Sequence, residues 1–150
     1  MRKEGIIMKQ LRVLAIAVFL LVASANVWAQ AKSYKIIVNP SNSVSSISRE
    51  DLSRIFLKKT TKFSDGRSAS PVDLPISSPT RESFSKDVHG KSASAVEAYW
   101  QQLIFSGRDI PPGQKSEGGV LEFVRSNGNA IGYVSPGTDT GGVKVINVTD

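Results

Sequence analysis

Residues 70–88, SPVDLPISSPTRESFSKDV, decide how this chain is read. Ser70 to Leu74 reads as a short strand, and Pro75 ends it because proline has no N–H with which to continue a ladder. Ser78 then offers an N-cap hydroxyl, and Pro79 fits the first helical position, where no backbone donor is missed. Phe84 and Val88 fall four apart on one face, and Gly90 after His89 supplies a left-handed stop. A strand running straight into a capped helix is the repeating unit of an α/β protein.

The same alternation extends in both directions. Tyr34 to Val38 is a β-branched run stopped by Asn39-Pro40. After the Ser/Asn-rich segment 41–46, Ser48-Arg49-Glu50-Asp51 has the form of a capping box with Ile47 as its hydrophobic staple. Leu52, Ile55 and Phe56 follow at helical spacing, so this helix has one buried face and ends near Leu57. The basic stretch 58–62 and an Asp65-Gly66 turn lead back to the strand at Ser70. Downstream, Ser92 or Ser94 caps a third helix in which Val96, Tyr99, Trp100, Leu103 and Ile104 recur at 3.6-residue spacing. Trp100 is expected to be buried against Phe84, Phe123 or the sheet. Two prolines and a glycine make residues 108–113 a loop. A fourth helix covers about 117–126 with Val120, Leu121 and Val124 inward, and strands follow at Ala130–Val134 and Val143–Val148. The class is therefore α/β, a small mixed sheet flanked by about four helices.

At the N-terminus, Lys9 and Arg12 precede an apolar run from Val13 to Ala23, too short to span a bilayer, which takes about 20 residues. Small residues at Val27/Ala29 or Ala29/Ala31 then satisfy the rule for signal-peptidase cleavage. Residues 1–29 are read as a signal peptide, cleaved after Ala29 or Ala31, and residues 32–150 as one domain. The protein is thus expected to be periplasmic or secreted, with no stable membrane insertion after cleavage. Met8-Lys9-Gln10 is itself a good start, which makes the residues before it dispensable. The absence of cysteine rules out lipoprotein processing and disulfides, so the core alone must hold the fold. Arg2, Lys3, Lys9 and Arg12 against Glu4 account for half of the formal charge of +6. What remains is ordinary for a soluble domain and interleaved with acids, which argues against nucleic-acid binding.

Catalytic motifs are lacking. His89 is the single histidine, which with no cysteine removes zinc and thiolate chemistry. Neither a G-x-S-x-G elbow nor a phosphate-cradling glycine loop occurs, so no enzyme, metal or cofactor is expected. His89 reads as a helix C-terminal residue favoured by the dipole. One segment has chemical content. Ser77, Ser78, Thr80 and Arg81 gather hydroxyls and a guanidinium where a strand runs into a helix start, and such positive ends accept anions. The bland alternative is that the hydroxyls only cap the helix and Arg81 pairs with a nearby acid.

Four segments in order, IIVNPSNSVSSISREDLSRIFLKKTTKFSDG (36–66), PVDLPISSPTRESFSKDV (71–88), YWQQLIFSGRDIPP (99–112) and VLEFVRSNGNAIGYVS (120–135), resemble the phosphate-binding branch of the type 2 periplasmic substrate-binding proteins. The chain is most similar to the short stand-alone members labelled phosphate ABC transporter substrate-binding proteins, and the resemblance runs from Tyr34 to about Val145. It implies one lobe of a two-lobe fold that closes on an oxyanion. Ser78 and Thr80 match the serine and threonine of that family's S-G-T anion segment. Pro79 stands where the family has glycine, which removes one N–H donor, and Leu74 stands near where an arginine clamps the phosphate, leaving Arg81 as the nearby substitute. The implied function is a solute-binding module for phosphate or a similar small anion such as sulfate. It would bind weakly, or with a partner lobe supplied by another protein or by self-association. The alternative is a structural or interaction protein of the envelope that has lost its ligand.

Overall fold

The computed structural model describes residues 32–150. The expected signal peptide, its cleavage positions and the Met8 start lie outside the described residues. Six strands form one mixed sheet: β1 (Lys35–Val38), β2 (Ser46–Ser48), β3 (Ser70–Asp73), β4 (Gly113–Gln114), β5 (Ala130–Val134) and β6 (Lys144–Thr149), in the spatial order β2-β6-β1-β5-β3-β4. Four helices accompany them: α1 (Arg49–Phe56), α2 (Pro79–Phe84) prolonged by a π-helical turn over Ser85–His89, α3 (Ala93–Phe105) and α4 (Glu117–Ser126). The α/β class, the small mixed sheet and the helix number are those expected.

Each helix begins on a serine. The hydroxyls of Ser48, Ser78, Ser92 and Ser116 accept from the backbone N–H groups of Asp51, Arg81, Ala95 and Gly119 at 3.1–3.3 Å. Such a cap stabilises a helix by about 1 kcal/mol. Gly90 ends the π-helical turn at φ 65°, in the left-handed region where a side chain is strained.

β1 runs antiparallel to both neighbours, while β3 is parallel to β5 and β2 to β6. The C-terminal ends of β2, β3, β5 and β6 therefore share one end of the sheet with the start of β1. Alternation along β5 separates two layers. On one face Tyr133 stacks flat on Phe84, with ring centroids 3.9 Å apart, and Phe56 and Tyr34 close the cluster around Phe84 at 4.9 and 5.3 Å. On the other face Gly132 receives α4 so closely that an added Cβ would lie 2.7 Å from Val120 Cγ1. The sheet is thus packed between α4 on one side and α1 with α2 on the other.

Three features differ from the sequence reading. β2 and β4 pair as strands of three and two residues, too short to show any alternation, because a long strand beside each supplies the ladder. Trp100 is buried as expected, but with Ala93 and Val96 it lies outside the main core cluster that holds Phe84, and its ring meets Tyr99 at 5.1 Å. The last turn of α3 does not turn inward. Ile104 is 49 % exposed and Phe105 90 %, because no described element packs over that turn.

Candidate functional site

The strand end and helix start named by the sequence come together as expected. Ser78 N–H donates to Pro75 O at 2.9 Å, which tightens the turn after β3, and the Ser78 hydroxyl is occupied by the Arg81 N–H. Ser77 is exposed and Thr80 half-buried, and neither hydroxyl makes a hydrogen bond to another described residue.

Arg81 is placed differently from the role of a ligand clamp. Its side chain is 2 % exposed, with Nη1 donating to Leu74 O at 3.0 Å and Nη2 to Glu97 at 3.2 Å, while Asp73 lies 3.6 Å away. The guanidinium is committed to protein acceptors, and only Nε lacks a partner. The reason is local. The carboxylate of Asp73, the last residue of β3, is buried behind the turn, and a charge taken out of water needs a counter-charge. Two acids share one guanidinium, and Asp73 also accepts from the Tyr133 hydroxyl and from Leu74 N–H. Burial outweighs these contacts and pushes the Asp73 carboxyl up from its ordinary value; burial and Asp73 likewise push the Tyr133 phenol up. Neither Asp73 nor Glu97 was singled out from the sequence. An acid inside the otherwise apolar strand PVDL was the available signal.

The neighbouring strand end is also acidic. Glu117, in the first turn of α4, accepts from Ser135 N–H, the Ser135 hydroxyl and the Thr138 hydroxyl at 2.8, 3.1 and 2.5 Å.

His89 ends the π-helical turn as read from the sequence, and it has a partner the sequence did not name. Its Nδ1 lies 2.8 Å from Ser53 Oγ on α1. Burial, with help from Arg81, Lys91 and Lys59, lowers its pKa to about 4, so the ring is neutral at neutral pH. Among the described residues no group of three His, Asp or Glu side chains could hold a metal ion, and no helix is long and apolar enough to cross a membrane.

The α/β architecture has counterparts among solved structures. It is similar to an ABC-type phosphate transport receptor from Vibrio cholerae, with a TM-score of 0.58 and 23 % identity over 77 % of this chain and 46 % of that one. It is equally similar to a protein from Clostridium perfringens, ascribed to the phosphate ABC transporter substrate-binding proteins and solved with bound phosphate, at TM-score 0.57 and 21 % identity over 77 % and 46 % of the two chains. PstS from Borrelia burgdorferi matches at TM-score 0.53 and 15 % identity over 79 % and 47 %. The chain therefore spans a little under half the length of these solved proteins. No protein-family model matches it, and no curated protein does.

Proposed function

We propose that this chain is an exported, non-enzymatic binding module that holds phosphate or a similar small anion, weakly alone or more tightly with a partner lobe. One observation carries the reading: a fold similar to a little under half the length of a phosphate transport receptor and of a protein solved with bound phosphate presents Ser77 and Thr80, with hydroxyls unengaged among the described residues, at the start of a helix that follows β3. The anion is held by those hydroxyls and the Thr80 N–H, since Pro79 has no N–H and that of Arg81 is donated to Ser78. Ser78 shapes the turn, and Arg81 braces it from below. With Arg81 already paired and Ser77 exposed among the described residues, the anion stays open to water, so the dissociation constant is on the order of millimolar, about 4 kcal/mol.

Calorimetry with phosphate tests this. Millimolar binding that Thr80→Val weakens is expected, and no binding at tens of millimolar phosphate refutes it. Sub-micromolar binding instead means that self-association supplies the missing lobe. Export is tested separately by N-terminal sequencing of protein recovered from the envelope, which should begin at Gln30 or Lys32; an intact run from Val13 to Ala23 refutes cleavage.

A second reading has its own support. Phe105 at 90 %, Ile110 at 66 % and Ile104 at 49 % exposure leave apolar surface beyond the last turn of α3, which suits a module that contacts an envelope protein. Phosphate-independent association that Phe105→Ser abolishes would favour it.

A further inference from the structure

A cleft of about 780 Å³ lies along the outer face of α1, and neither Ser77 nor Thr80 lines it. Ser53, Arg54, Lys59 and Val88 line it, with Arg49, Glu50 and Asp150 toward the helix start. Arg49 is neutralised there by Asp87 and Asp150. Arg54 and Lys59 are different: among the described residues neither has a carboxylate within ion-pair distance. Their proximity is built by the backbone. Lys58, the one described non-glycine residue with positive φ, at 51°, turns the chain so that Lys59 N–H donates back to Arg54 O at 2.8 Å. A lysine held in the left-handed region is strained, and such strain gathers at sites where geometry matters. Cations at a helix C-terminus also complement its dipole. That accounts for their charge, but not for a cleft whose wall includes Ser53, a serine backed by the buried His89 imidazole at 2.8 Å.

We propose that this cleft is a second anion site, for a tetrahedral dianion, either phosphate itself or a phosphate monoester. Arg54 and Lys59 supply the charge. Ser53 supplies a directed donor: with the proton on His89 Nδ1, the imidazole donates to Ser53 Oγ and leaves the hydroxyl hydrogen free to point into the cleft. Val88 offers an apolar wall for the organic part of a monoester. His89 is held by Phe84, whose ring lies edge-on at 5.5 Å; burial chiefly keeps it neutral, and Arg81, Lys91 and Lys59 add a positive field. An anion beside Arg54 and Lys59 cancels part of that field.

His89 is the only histidine in the sequence, which makes its ring an unambiguous nuclear magnetic resonance probe. The full chain is titrated with inorganic phosphate and, in a second arm, with glycerol 3-phosphate. Saturable shifts of the His89 ring signals are expected, together with an upward move of its pKa. Arg54→Ser with Lys59→Ser should weaken the response about tenfold or more, the usual consequence of removing charge-assisted bonds. Thr80→Val should leave it unchanged, which separates this site from the one at α2. The two arms distinguish free phosphate from a monoester as the better ligand. Ring signals that do not move, or that move equally in the double variant, overturn the proposal.

Discussion

Two arginines on neighbouring helices, Arg81 and Arg54, have opposite fates. Arg81 is buried with Asp73 and Glu97, and its charge is consumed in holding the turn after β3. Arg54 stands at the cleft beside Lys59 with no acid partner among the described residues. The difference shows that a cation next to a plausible ligand site is not thereby a ligand group. What decides is whether a buried carboxylate has prior claim on it.

The largest effect expected from this contrast is on stability. Arg81→Ala leaves Asp73 buried without its counter-charge, and breaking such a pair costs about 3–5 kcal/mol. Chemical denaturation measures it, and a loss below about 1 kcal/mol would mean that Arg81 is less committed to the interior than its contacts indicate.

His89 gives the next effect. Its folded pKa of about 4 lies below the ordinary 6.5, so the unfolded chain binds the proton more readily between those values. The stabilisation is complete above pH 6.5, shrinks as pH falls, and is gone near pH 4, amounting to about 3 kcal/mol at most. Asp73, raised by burial, acts in the opposite sense, because an acid that holds its proton longer in the fold loses stability as pH rises. The difference between wild type and His89→Gln therefore isolates the histidine. A variant with the same pH slope would place His89 in solvent.

Ser78→Ala removes the cap over Arg81 N–H and should cost about 1 kcal/mol. Thermal unfolding would show it, and no change would mean that the start of α2 is held by its tertiary contacts alone. The smallest effect belongs to Arg54→Ser, within about 0.5 kcal/mol by the same assay, as expected for an unpaired surface residue. A larger loss would show that Arg54 holds α1 together rather than facing a ligand.

Much of the architecture was legible because it is local. The serine caps at Ser48 and Ser78, the stop at Gly90 and the apolar faces of α1 and α4 depend on residues within a turn or two of each other. β2 and β4 were not legible, since Ser46–Ser48 and Gly113–Gln114 are strands only by virtue of β6 and β3 beside them. The apolar spacing of α3 predicted a longer inward face than exists, because periodicity reports which residues share a side and not where the neighbouring layer ends.

The candidate site divides in the same way. Ser77, Ser78 and Thr80 were found from the sequence because a strand stop, a cap and a helix start are read from consecutive residues. Arg81's engagement with Glu97, 16 residues away, and the Ser53–His89 pair, 36 residues apart, required the chain to fold first. By itself the sequence determined the helix starts, the buried faces and the α/β class, all consequences of short-range backbone and hydrophobic patterning. Only the tertiary structure decided which charges are consumed inside and which remain at the surface, because the pairing of a charge depends on its distance in space and on how far burial has removed it from water.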